Sequence, residues 1–321
     1  MSSGVLAQTE EWFLHHGLTY FVPEQRAHVR RALRPRRVVP VVLVVLVVAT
    51  GAGGLLTWAA DQVALGSAVL TSLVLLGAAW YSLTQLHAGP IVRWALSRTF
   101  GSLRTLLPTT TRALPLLLLF ITFLFINTEV WQVASELTTG QLWLAVLLFI
   151  VLAIAFLLVR LPEEVDRTDD DVDDRLLLKA CDGTPLAGEC RRLLDDPEAD
   201  PAAYAEITGY ERWNLVLVLV IVQAVQVLLV ALAVFAFLMV FGSLVMTDHV
   251  LGQDWMIRGD LHVALLQVST FLAGFSGLYV TVSTVTDETY REQFFGHVIH
   301  EMERAVGVRA VYLTVRAEQS A

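Results

Sequence analysis

Carboxylate, amide and hydroxyl side chains interrupt stretches of this chain that are otherwise apolar enough for lipid, and such positions are costly unless they have a task or a partner. Thr122, Glu129, Gln132 and Glu136 fall at i, i+7, i+10 and i+14, with Asn127 and Thr128 alongside. On a continuous helix this spacing makes one polar stripe. Glu129 exposed to a water-filled vestibule would bind a cation or carry a proton; if the helix ends near Asn127, the same carboxylate sits in the headgroup layer. Gln223 and Gln226 share a face near the middle of a second apolar run. In a third, Ser269, Ala273, Ser276 and Ser283 line one helical stripe, beside Thr270, Gly274, Gly277 and Thr281. Such a face either lines an aqueous path or lets neighbouring backbones approach closely. The candidate intramembrane site is therefore Asn127, Glu129, Gln132, Gln223, Gln226, Ser269, Ser276 and Ser283.

The elements that must position these residues are long apolar helices. Hydrophobic residues are 55% of 321 positions and charged residues 17%, which places most of the chain in lipid. A span needs about 20 apolar residues, and six runs qualify, at 38–60, 64–86, 114–137, 141–160, 214–246 and 262–285. The expected fold is an all-α membrane protein, a bundle of six transmembrane helices with amphipathic helices at both ends. The fifth run is about 51 Å long as a helix, against a hydrocarbon core of about 30 Å, so it must tilt, break or protrude.

Arginine sets the expected orientation. Arg26, Arg30, Arg31, Arg34, Arg36 and Arg37 precede the first run, and Arg93, Arg98, Arg104 and Arg112 join the second to the third. The short connections around Asp61-Gln62 and Thr138-Thr139-Gly140 hold no basic residue. Basic connections face the cytoplasm, which puts both termini and the 161–212 connection there. Trp58, Trp131, Trp143 and Trp255 then fall near outer ends, and Trp213 near an inner one, as amphipathic rings prefer.

Residues 160–212 contain sixteen acidic and seven basic side chains, so this segment alone accounts for the net charge of −9. Eight carboxylates crowd Glu163 to Asp174, a self-repelling run expected to be disordered or a solvated helix face. Asp169, Asp171 and Asp173 are spaced like calcium-loop ligands, but Asp174 and Ala180 replace the glycine and glutamate that such a loop needs. Arg175 to Tyr210 reads as a small helical subdomain. Its Cys181 and Cys190 are expected to be free thiols, since they lack C-x-x-C spacing and lie on the reducing side. The segments are thus 1–37, an N-terminal amphipathic piece; 38–160, four spans; 161–212, the acidic connection; 213–286, two spans; and 287–321, a C-terminal helix and tail.

The ends carry apolar faces. Trp12, Phe13, Leu14, Leu18, Tyr20 and Phe21 suit a membrane interface, with nearby arginines meeting anionic lipid. In the tail, Phe294, Phe295, Val298, Ile299 and Met302 form the apolar side of a helix whose His297 and Glu301 are better read as a solvated face than as metal ligands. No zinc-protease, nucleophile-elbow or phosphate-loop pattern occurs, so no catalytic residue, metal or cofactor is expected.

Trp12 to Pro23, Phe125 to Val133 (FINTEVWQV) and Asp287 to Leu313 resemble pieces of an uncharacterised family of actinobacterial multi-pass integral membrane proteins. The resemblance implies a bacterial cytoplasmic membrane and assigns no substrate. Two functions are compatible with the residues. One is a channel or transporter for a cation, proton or small solute, routed past Glu129 and the polar face of the sixth run. The other is a non-transporting membrane-anchored scaffold or regulator that binds a cytoplasmic protein through its acidic connection and C-terminal helix. Lipid, a protein partner and a second copy of the chain are the expected contacts; nucleic acid is not.

Overall fold

A computed structural model describes the backbone of residues 2–110, 113–169, 173–196, 199–246, 261–286 and 288–320. Side chains are described for these residues except 2–3, 101–110, 113–116, 164, 167–169, 261, 285–286, 288–299 and 320. Trp255, Arg104, Arg112, Phe294, Phe295, His297, Val298 and Ile299 accordingly lie outside the described side chains.

Among the described residues all regular structure is helical: α1 (Ser2–His15), α2 (Pro23–Ala32), α3 (Pro35–Ala60), α4 (Val63–Thr84), α5 (Ala88–Thr110), α6 (Ala113–Phe125), α7 (Thr128–Glu136), α8 (Thr139–Asp169), α9 (Asp174–Cys181), α10 (Ala187–Leu194), α11 (Gly209–Val245), α12 (Leu261–Thr286) and α13 (Glu288–Ser320), with single 3-10 turns at Thr19–Phe21 and Pro201–Tyr204. Among the described residues, five helices are long and apolar enough to cross a membrane on their own: α3, α4, α8, α11 and α12. The bent pair α6 and α7 is long and apolar enough for a sixth when its two halves are taken as one span. Their outward surfaces are apolar, with Val44, Val47, Leu55, Leu119, Val159 and Leu244 all exposed, as lipid contact requires.

Small residues set the packing. α3 and α4 form a hairpin that crosses where Gly53 and Gly66 meet backbone to backbone; a Cβ on Gly66 would lie 2.5 Å from the Gly53 carbonyl oxygen. Gly140, in the first turn of α8, is equally tight against Leu65, which places the α3–α4 turn and the start of α8 at one end of the bundle. α8, α11 and α12 pack mutually, α4 joins them through α8, and α6 lies against α11 and α12.

The third run does not form the continuous helix expected of it. The chain bends by 73° between α6 and α7. Asn127 causes the break: it takes an extended conformation, and its Oδ1 accepts hydrogen bonds from the amides of Glu129 (2.9 Å) and Val130 (3.4 Å), capping α7. Carbonyls freed near the break and at the end of α7 are met by side chains. The Trp131 indole donates to the Phe125 oxygen at 2.6 Å and the Gln267 amide to the Leu137 oxygen at 2.8 Å.

The fifth run protrudes. α11 is one unbroken helix of 37 residues, whose first turns leave the span region. There Leu215, Val216, Val218, Leu219 and Val222 enter a core with Phe13, Tyr20, Phe21, Leu161, Val165, Leu177, Leu193, Val306, Val311 and Tyr312. The N-terminal segment, the 161–212 connection and the C-terminal helix therefore co-fold into one helical domain at one end of the bundle. At its centre is α13, in which 302 and 305–312 are buried on every side. Of the apolar N-terminal residues, Phe13, Leu18, Tyr20 and Phe21 are buried in this core and Trp12 packs against it, while Leu14 is exposed. The acidic run begins as ordered helix, since α8 continues to Asp169 and Asp173 caps α9 through the Leu176 amide at 2.7 Å.

Candidate functional site

The polar residues of the spans divide into two groups at opposite ends of the bundle. Asn127, Glu129 and Gln132 lie at the end remote from the helical domain. Asn127 is consumed as a cap, while Glu129 and Gln132 are exposed on α7 and so do not extend a stripe down α6. Gln223 and Gln226 are buried on α11, toward the domain. The antiparallel contact of Val227 with Gly277 sets Gln226 near the level of Ser276, and Gln223 near that of Ser283. Ser276 is buried and donates to the Leu272 oxygen at 2.7 Å, whereas Ser283 is half-buried.

At about 1.5 Å per residue, roughly 25 Å of bundle separates Gln223 from the α7 layer. Much of that interval is apolar. Leu117, Ile121, Phe125, Trp131, Val234, Leu238, Leu265, Val268 and Leu272 form a continuous buried apolar cluster there. Ser269 is embedded in this region with its hydroxyl unpartnered. The two amide groups of Gln223 and Gln226 are the other unsatisfied feature: both polar atoms of Gln223 and Oε1 of Gln226 lack a protein partner. A buried water is the ordinary occupant of such a position. A crevice of about 470 Å³ between α8, α11 and α12 offers no polar alternative. Its threonines, Thr270 and Thr281, donate to their own helix at Leu266 and Gly277, leaving a lining of Phe149, Ile150, Ala231, Phe235 and similar residues.

Polar chemistry is denser in the helical domain. Glu211, in the first turn of α11, is 2% exposed and takes three guanidinium contacts. Arg309 of α13 reaches Oε2 with Nε at 2.7 Å and Nη2 at 2.6 Å, and Arg26 of α2 reaches Oε1 at 2.7 Å. Nη1 of Arg309 also donates to the carbonyls of Tyr204 (2.6 Å) and Glu206 (3.1 Å). Asn214, fully buried one turn further along α11, accepts from the Tyr20 amide at 2.9 Å and donates to the Gly17 carbonyl at 3.0 Å. Neither Glu211 nor Asn214 stood out in the sequence, because each lies at the polar edge of an apolar run, where such residues are common.

Other contacts close the domain. Arg98 pairs with Glu301, so that carboxylate serves an ion pair. Arg304 donates to the carbonyls of Ala180 and Asp182 and lies over the Trp12 ring at 5.6 Å. Tyr312 donates to Glu10 at 2.5 Å, and burial with this bond pushes its phenol up to about 12. Cys181 and Cys190 are free and buried. Their mutual hydrogen bond holds Cys190 below the ordinary thiol value and Cys181 above it, with burial raising both. No cluster of three or more potential metal ligands occurs among the described residues.

The arrangement is thus a lipid-exposed bundle with an apolar middle, fused through α8, α11 and α13 to a helical domain held by buried charge. Comparison with known proteins gave no match to a protein-family model, a curated protein or a solved structure.

Proposed function

We propose that the protein is a non-transporting membrane-anchored scaffold or regulator of the bacterial cytoplasmic membrane, with its helical domain on the cytoplasmic side. One observation carries this reading: the Gln223 amide and the polar residues of α7 are held about 25 Å apart by a packed apolar cluster, while one core joins the domain ends of α8 and α11 to the N-terminal segment, α5, the 161–212 connection and α13. A domain so rigidly joined to its anchor presents a fixed surface to a partner. That surface carries the acidic excess of 160–212, so the partner's complementary face is basic.

Flux into vesicles tests the proposal. Full-length protein reconstituted into liposomes is expected to move potassium, sodium and protons no faster than protein-free vesicles under an imposed gradient. Flux above that background would sink the scaffold reading.

The transport reading keeps one supporting observation, the unsatisfied amides of Gln223 and Gln226 inside the bundle. If they line a hydrated path, Gln223→Leu together with Gln226→Leu would reduce any measured flux. On the scaffold reading the same double substitution leaves the flux at background.

A further inference from the structure

Six of the chain's 22 basic residues fall within the twelve positions 26–37, and no acidic residue occurs between Glu24 and Asp61. The structure folds this segment as α2 running into the first turn of α3. Val22, Val29 and Ala32 are buried against the domain, which fixes the opposite face of α2 outward. Pro23, Arg26, Ala27, Arg30, Arg31 and Arg34 recur at i, i+3, i+4, i+7, i+8 and i+11 and together line a cleft of about 410 Å³. Arg26 is spent on Glu211. Arg30, Arg31 and Arg34 are exposed, as are Arg36 and Arg37 immediately beyond, and none of the five has a carboxylate partner among the described residues.

The location of the cleft selects its ligand. The apolar span begins at Val38, directly after Arg37, and the lipid-facing Val39, Val42 and Leu43 follow within two turns. The Tyr81 hydroxyl near the end of α4 donates to the Ala32 carbonyl at 2.8 Å, which ties the end of α2 to the same end of the α3–α4 hairpin. The guanidinium groups therefore stand where the phosphates of a bilayer lie, just outside the hydrocarbon. His28 reports the converging charge. It meets His87 edge-on at 4.5 Å and is held below the ordinary imidazole value by burial, His87, Arg31 and Arg37. Planar guanidinium forks bind phosphate oxygens in pairs, and a run of them without lysine favours directed phosphate contacts over diffuse attraction.

We propose that the α2–α3 arginine cleft is a binding site for the phosphate-bearing headgroup of an anionic glycerophospholipid, with Arg30, Arg31 and Arg34 as its principal ligands. The site requires only that α3 enter a bilayer near Val38; it stands whether or not the protein scaffolds a partner.

Titration of full-length protein in neutral detergent with dioleoylphosphatidylglycerol or dioleoylphosphatidylcholine, with bound lipid counted by native mass spectrometry, tests the site. The native chain is expected to prefer the anionic lipid, and Arg30→Gln, Arg31→Gln and Arg34→Gln combined should reduce that preference about a hundredfold, at roughly 1 kcal/mol per arginine. The corresponding lysine triple should retain part of it. Should the glutamine triple not fold, Arg34→Gln alone is expected to lose about fivefold by the same arithmetic. Gln in place of Arg175, Lys179 and Arg191, which line a different cleft, should leave the preference intact. Unchanged preference in the Arg30–Arg31–Arg34 variant, or an equal loss in the Arg175 control, would overturn the proposal. Binding of sn-glycerol 3-phosphate as strong as that of the lipid would overturn the assignment to a lipid headgroup.

Discussion

Glu211 and Arg309 stand 98 positions apart in sequence and meet through two contacts of 2.6 and 2.7 Å, both nearly sealed from solvent. Removing Arg309 leaves the buried Glu211 carboxylate with only the partly exposed Arg26 and takes the donor from the Tyr204 and Glu206 carbonyls, a loss of up to about 3–5 kcal/mol. Arg309→Met is therefore expected to unfold the helical domain at lower denaturant than the native chain while the spans stay helical. Arg26→Met should cost less, because its side chain is 30% exposed and water can replace part of its interaction. Denaturant titration in micelles, followed by tryptophan fluorescence and circular dichroism, separates the two variants; equal midpoints would refute the ordering.

Break formation in the third run rests on Asn127. Asn127→Ala removes the side-chain acceptor of two α7 amides, a loss of about 1 kcal/mol. Amide exchange in α7 should accelerate, while α3 and α4 are unaffected. If residues 122–136 instead become more protected, the chain has restored the continuous helix, and Asn127 determines the bend outright.

These two regions show which parts of the structure were legible. The spans could be read from apolar length alone, and the excess length of α11 left tilting, breaking and protruding open, of which the structure takes protrusion. Asn127-Thr128-Glu129 is itself a helix-start signal, but it lies inside a run whose apolar length argues for continuity, and the cap prevailed. The polar candidates could be named individually, yet their separation depends on how α7 folds across the end of α12, which no local pattern encodes. The domain core was the least legible part. Val306 to Tyr312 is apolar around the whole helix apart from Arg309, the pattern of a buried helix, yet its partners come from the N-terminus and the 161–212 connection. The Arg309–Glu211 contact becomes visible only once these segments meet.

Backbone contact between α3 and α4 predicts a position-specific glycine effect. A Cβ at Gly66 would fall 1.8 Å from Thr57 Oγ1, which can rotate away, and 2.5 Å from the Gly53 carbonyl, which cannot. Gly66→Ala should force the hairpin apart and destabilise it by about 1–3 kcal/mol. Gly51 and Gly54 have nothing within 4 Å of a built Cβ, so alanine at either should be neutral or slightly stabilising through helix propensity. Thermal unfolding in the same micelles compares them; similar losses at all three positions would show that helix flexibility, not close approach, is what matters.

Acid should loosen the domain through His16. Its Nδ1–H donates to the Trp12 carbonyl at 2.8 Å while its ring stacks on Trp12 at 3.9 Å. Burial lowers its pKa below the ordinary 6.5, with Arg304 and His15 acting in the same direction and the Trp12 bond and Glu301 opposing them. Because the folded value is the lower one, the unfolded chain binds the proton more readily. The stabilising contribution is complete above about 6.5 and disappears as pH falls through the folded value. His16→Gln can keep a donor toward Trp12 without titrating, so its midpoint should depend less on pH between 7 and 5 than that of the native chain. His28 is also lowered and remains in both proteins, so its contribution cancels in the difference. A variant whose midpoint falls as steeply as the native one would exclude His16 as the source of acid sensitivity.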